Sequence, residues 1–297
     1  MSTIAQSKPR PYWHVDAKWI AGLLLVFALS ISLLLYGLVV ITTEPIAVRL
    51  LSVLMASAFS PAGLDAEGDI QEMQKMLDAS PDGSIQPIPG LRIIVHAEDI
   101  EGLSPREARI IFFRQLAEPL YQGGAEGLAE LADDPEMRQS IVEGAGMMAL
   151  FSQETHDRLR QLIRIPMILS LVLGVLLVLF SYRFGRLFSP GCALFVAVAP
   201  CAGAMLFFTM VMNKPPPPAS NPVGEPALSG ALSAAAANAL PDVIPALSAV
   251  YNPIVSIALG LMVVALLADL VNRMWRARRS KDREQILDRN TGGPEAE

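Results

Sequence analysis

Apolar residues recur with helical spacing along much of the chain, and in four stretches the polar face disappears altogether. Residues 20–41 read IAGLLLVFALSISLLLYGLVVI, 22 residues with no charge and no proline. As a helix this run rises about 33 Å, enough to cross the hydrocarbon core of a bilayer. Three more follow: 165–181 (IPMILSLVLGVLLVLFS), 191–212 (GCALFVAVAPCAGAMLFFTMVM) and 253–271 (PIVSIALGLMVVALLADLV), with a single charge among them, Asp269. The expected fold class is therefore an α-helical integral membrane protein with four transmembrane helices, bounded at 20–41, 164–182, 191–212 and 253–272.

Between the first two spans, 42–163 is long and mixed enough to fold as its own domain. It reads as mainly helical with minor strand content. In 44–59, EPIAVRLLSVLMASAF, Ile46, Leu50, Val53, Leu54 and Met55 recur near helical spacing, and Pro45 suits a first helical turn. That segment fits a helix lying on the membrane surface or the first core helix of the domain. Residues 60–90 are loop-rich around a short helical stretch at 69–77. The β-branched run 91–97, LRIIVHA, predicts a strand. Ser104, Pro105 and Glu107 form a capping signature for a helix that Gly123 and Gly124 should stop. Two further helices are expected over 125–132 and 135–151. Ser152 should cap another that runs towards the second span.

The second and third spans are joined by a short turn, 183–190, which forces an antiparallel hairpin. Pro200 should kink the third span. Around it Ala193, Ala197 and Cys201 fall four residues apart, with Gly203 beyond; small residues at that spacing let helices pack closely. Residues 213–252 read as a Pro/Ala-rich loop. Its 213–226 part contains PPPP and predicts an extended linker. Its 228–240 part is apolar but too short to span, so it is interfacial, re-entrant or docked on the domain. Residues 1–19 form an arm in which Trp13 and Trp19 flank the membrane entry. Residues 273–297 form a basic, then acidic, tail.

Composition sharpens this picture. The chain has 297 residues, 52% of them hydrophobic, where a soluble domain has about 45–50%. The first apolar run exceeds the roughly 7–15 residues of a signal peptide core, so it reads as an uncleaved anchor. The proposed inner segments hold twelve basic residues: Lys8, Arg10 and Lys18, then Arg183 and Arg186, then seven in the tail. The loop 213–252 holds one, Lys214. Basic flanks stay inside, so both termini are expected in the cytoplasm of a prokaryotic cell and 42–163 outside its cytoplasmic membrane. Between residues 43 and 163 there are 20 acids and nine basic residues, a net charge of −11.

Candidate chemistry is sparse. Cys192 and Cys201 are nine residues apart on one helix and face opposite sides, which prevents pairing. The histidines, His14, His96 and His156, all lie outside the spans. No HExxH, GxSxG, Walker A or GxGxxG pattern occurs. No catalytic residue and no cofactor is expected. His96, Glu98, Asp99 and Glu101 are the weak candidates for a cation site, against ion pairing of those acids with Arg106, Arg109 and Arg114. Asp269 is the one intramembrane acid, with Arg273 one turn on as its natural partner. Arg273, Arg276, Arg278, Arg279 and Lys281 form a basic cluster suited to the lipid surface. The expected function is non-enzymatic: the acidic domain binds a partner in assembly, scaffolding or sensing. A small transporter or channel working through the third span is the alternative, and an outer-surface enzyme or metal site around His96 a more distant one. The expected partners are the bilayer and a protein or a second copy, with no role for nucleic acid.

Overall fold

The computed structural model describes residues 13–60, 64–146, 148–181, 185–212 and 227–291. The arm residues Lys8 and Arg10, Arg183 in the turn, the proline-rich 213–226 and the acidic end 292–297 lie outside the described residues, as does the side chain of Lys281. The described chain is dominated by helix. In order come α1 (Trp13–Ile41), α2 (Glu44–Phe59), α3 (Gly68–Ala79), β1 (Ser84–Ile85), β2 (Val95–His96), α4 (Ala97–Ile100) and α5 (Pro105–Ala129). Then follow α6 (Pro135–Gly144), a 3-10 turn (Met148–Phe151), α7 (Gln153–Leu162), α8 (Arg164–Phe180), α9 (Gly185–Met212) and α10 (Ala227–Thr291). Four helical stretches are long and apolar enough to cross a membrane: Asp16–Ile41, Gln153–Phe180, Gly185–Met210 and Ala237–Arg279.

The chain divides into two compact units. The first takes residues 1–33, 166–200 and 251–297; the second takes 34–165 and 201–250. In the first, α1 and α8 run antiparallel. Leu177 meets α1 at Gly22, and Ser32 Oγ lies 3.4 Å from Ser170 Oγ. Leu25, Ala28, Leu173, Leu177 and Ala193 form its core. Ser32 and Ser170 also donate to carbonyls four residues back on their own helices, Ala28 O at 2.8 Å and Pro166 O at 2.7 Å. Their hydroxyls are thereby satisfied inside an apolar bundle. Tyr251 of α10, 4% exposed, donates its phenol to Leu33 O at 3.1 Å.

The second unit is built on α2 and α5. Of the two readings open for 44–59, the core helix is the one observed: Ala47, Leu51, Val53 and Ala56 have no exposed surface. Ser104 and Glu107 start α5 with reciprocal capping bonds, as the sequence predicts. Gly124 breaks it with φ +64°, a conformation that favours glycine. The chain folds back there so closely that a Cβ on Gly127 would overlap the carbonyl oxygen of Pro119. Ser152 caps α7 as expected.

Four expectations are corrected. The helix expected over 135–151 ends at Gly144, and a separate 3-10 turn follows at Met148–Phe151. The strand predicted over 91–97 shrinks to β2, which pairs with β1 through Ser84–His96 and Ile85–Val95. The alternation itself is real, since Leu91, Ile93 and Val95 are buried and Arg92, Ile94 and His96 exposed. The segment is divided between two short partners. Val95 and His96 pair with β1, while Leu91 makes an isolated antiparallel bridge to Ala132 and Arg92 N donates to Leu131 O at 2.8 Å, so no longer ladder forms. The turn predicted over 183–190 is shorter, because α9 starts at Gly185 and carries Pro190 and Pro200 within it. The loop predicted over 213–252 is helical from Ala227 onward, and one helix, α10, joins 228–240 to the fourth span.

Candidate binding site in the helical unit

The second unit contains a cavity of about 550 Å³, within the size range of ligand sites. α2 ends at its mouth and brings Met55 and Phe59; α5 brings Phe112 and Phe113 one turn before Leu116. The extended segment supplies Ile88 and Leu91, and α6 with the 3-10 turn closes the far side through Ile141 and Met148. Every lining side chain is apolar. Phe59 stacks on Phe113 with ring centroids 5.5 Å apart and planes 13° from parallel, and Phe113 meets Phe112 edge-on at 4.9 Å. Phe59 nevertheless leaves 70% of its surface in the open. This arrangement can exclude water from an apolar group; it holds nothing that could move a proton or attack a bond.

On another face of the same unit, α2 and α5 enclose a groove of about 610 Å³ bearing Glu44, Arg49, Glu107, Arg114 and Glu118. Arg49, Glu107, Arg114 and Glu118 already have partners. Arg49 Nε meets Asp242 at 2.9 Å, and Arg114 Nε donates to Glu118 at 2.8 Å. Arg106 donates to Asn238 Oδ1 and O at 3.3 and 3.1 Å, and Asn238 donates to Ser57 Oγ at 3.2 Å. These bonds, with the burial of Ala239 in the unit's core, dock the start of α10 on α2 and α5. Of the three readings open for 228–240, docking on the domain is the one its described side chains take.

Among the described residues, three groups in the unit have shifted ionisation. The Ser80 hydroxyl, then the Ser84 hydroxyl, hold the Asp82 carboxyl below its ordinary value. The Ser104 hydroxyl, then its backbone N–H, hold the Glu107 carboxyl below its ordinary value. Burial, then the negative fields of Glu44 and Asp157, push the Tyr121 phenol above 10.0.

The candidates read from sequence disperse. Asp99 caps α4 by accepting from His96 N at 3.1 Å, while His96, Glu98 and Glu101 point into solvent. Among the described residues no three His, Cys, Asp or Glu converge in a way that could hold a metal. The expected pairing of these acids with the arginines of α5 is replaced by other bonds. Arg106 goes to Asn238, Arg114 to Glu118, and Arg109, 4% exposed, donates to Leu64 O and to Ala66 O. Asp269 and Arg273 do pair, at 2.8 Å on an exposed face. Of the basic cluster, Arg276, Arg278 and Arg279 are exposed, with Arg279 lying 5.7 Å over the Trp275 ring.

The small residues of α9 separate into two groups. Ala193 and Ala197 are buried, at 6% and 1% exposure. Cys201 is half-buried, and Pro200 and Gly203 are exposed, with nothing within 4 Å of a Cβ placed on Gly203. The closest approach is at a residue the sequence reading passed over, Gly191. A Cβ there would stand 3.1 Å from Ala258 O, Leu261 Cβ and Met262 Cγ of α10. The available signal was its spacing, two residues before Ala193 and six before Ala197. Phe59 and Met148 were also passed over, because exposure at the end of an apolar helix has no signature in sequence. Compared with known protein families, characterised sequences and solved structures, the chain matches none.

Proposed function

We propose that the chain is a non-enzymatic multi-pass membrane protein whose acidic helical unit receives an apolar segment of a protein partner, in assembly, scaffolding or sensing. The observation that carries this is Phe59: a large aromatic ring, 70% exposed, standing at the mouth of a wholly apolar cavity. Rings left in the open beside such a cavity are typical anchors of partner binding. The net charge of −11 over residues 43–163 favours a partner with basic residues flanking its apolar segment. A photo-crosslinking residue in place of Phe59 should give one discrete adduct in cells, lost when Ile141→Arg is added. The same probe in place of exposed Glu98 should give none. No adduct at Phe59, or equal adducts at both sites, would remove the proposal.

The unit is placed outside the cytoplasmic membrane, with both termini in the cytoplasm. The basic count of the flanking segments supports this, and so does the proximity of Lys18 to Gly185, which puts the starts of α1 and α9 together within the first unit. Cysteine labelling of a Cys192/Cys201-free chain tests it. Glu98→Cys should react in intact cells and Ser280→Cys only after lysis. The transport reading is weaker, since Gly191, Ala193 and Ala197 are occupied in packing.

A further inference from the structure

Inside the first unit, the entry of α1 and the first turn of α9 meet at Gly185. From the position a Cβ would take there, Lys18 Nζ is 3.8 Å away, Ser189 Oγ 3.9 Å and Ser181 Cβ 4.0 Å. Arg186 Nε donates to Ser181 O at 3.2 Å on the same turn. Lys18 is half-buried and has no acid partner among the described residues. Ser181 is 3% exposed, and its hydroxyl has no hydrogen-bond partner among them. Ser32, Ser170 and Thr209 each return their proton to a carbonyl four residues back, whereas Ser181 keeps its own free.

The first-turn amides of a helix as long as α9 have no acceptor within it, and that end attracts anions. An ammonium placed at the same end is repelled by the helix and gains only when an anion lies between them. Lys18 and Ser189 are also the polar edge of an apolar cavity of about 370 Å³, walled by Trp19, Leu23, Val26, Leu177, Phe188 and Val196. The place is thus cationic and rich in donors at one edge and apolar beyond it.

We propose that it holds one anionic phospholipid. The phosphate sits against Lys18, Ser181, Ser189 and the first turn of α9, and an acyl chain fills the cavity. Free phosphate would use only the polar edge. A zwitterionic lipid would bring a quaternary ammonium towards a lysine.

The full chain, purified in a neutral maltoside detergent and stripped of lipid, would be titrated with phosphatidylglycerol, phosphatidylcholine or inorganic phosphate. Native mass spectrometry would count bound lipid and thermal melting would report the gain in Tm. One phosphatidylglycerol should bind about tenfold more tightly than phosphatidylcholine, as a charge-assisted contact provides. It should raise Tm where inorganic phosphate does not. Lys18→Gln should abolish the preference and Lys18→Arg keep it. Ser181→Ala, which removes only a free hydroxyl, should lower the preference without lowering the Tm of the lipid-free chain. Cys192→Phe, which fills the cavity, should weaken both lipids. Removing the tail charges with Arg276→Gln, Arg278→Gln and Arg279→Gln should leave the single tight lipid in place. Equal binding of the two lipids, an unchanged preference in both Lys18→Gln and Ser181→Ala, or an equal Tm gain from inorganic phosphate would overturn the proposal.

Discussion

Tyr121 donates its buried hydroxyl to the backbone carbonyl of Thr42 at 3.1 Å. Thr42 in turn holds its own hydroxyl 3.1 Å from His156 Nδ1. One residue after α1 therefore gathers α5 and α7, 79 and 114 positions away in the chain. Tyr121→Phe should cost about 1 kcal/mol, the usual worth of such a bond. It should also change the alkaline limit. The Tyr121 phenol is raised above 10.0 when folded, so its contribution is complete below that value and is lost as pH rises through the folded value. Melting curves of wild type and Tyr121→Phe should converge above pH 10. Curves that coincide at every pH would mean that the bond contributes nothing, and a constant offset that its contribution is not lost on ionisation.

Glu107 has the opposite sign. Its carboxyl accepts from Ser104 Oγ at 2.8 Å and Ser104 N at 3.2 Å, which holds its pKa below the ordinary 4.5. Its contribution is present above 4.5 and is lost as pH falls through the folded value. Ser104→Ala should cost about 1 kcal/mol at neutral pH, the usual loss of an N-cap. Glu107→Gln should flatten the dependence of Tm on pH between 3 and 5, measured by circular dichroism in detergent.

Gly191 and Gly203 make a paired test of packing in α9. Gly191→Leu forces a branched side chain where even a Cβ lies 3.1 Å from three atoms of α10, and should cost about 1–3 kcal/mol or more as overpacking does. Gly203→Ala meets nothing within 4 Å and should be neutral or slightly stabilising, since alanine is the better helix former. Melting of the purified chain reads both. Equal effects would mean that α9 and α10 do not pack at Gly191.

Arg109 holds the start of α3's approach by donating to Leu64 O and Ala66 O from a buried position. Arg109→Met should cost about 3 kcal/mol, because two carbonyls lose a charged donor. Arg109→Lys should recover little of it, since one ammonium on a flexible stem does not reproduce the planar fork. Full recovery by lysine would show that charge alone matters there.

Much of the fold was legible before any coordinate. Runs such as 20–41 have no polar face, and backbone groups in hydrocarbon must pair within the segment, so composition alone predicts a helix long and apolar enough to span there. Local chemistry was equally plain at Ser104 with Glu107, at Gly124 and at Asp269 with Arg273, because each feature is completed within four residues of chain. What the sequence could not decide depends on which distant surface a segment meets. Residues 91–97 alternate like a strand, yet only two of them find a strand to pair with. Residues 228–240 were open to three fates until Asn238 met Arg106 and Ser57. The acids at 98–101 and the arginines of α5 are close in sequence, but the arginines are drawn to partners brought in by tertiary packing. Phe59, Gly191 and the Lys18–Ser181–Ser189 cluster belong to this second class. Exposure, close approach and an unanswered hydroxyl are relations between elements far apart in the chain, and no period or propensity along one segment encodes them.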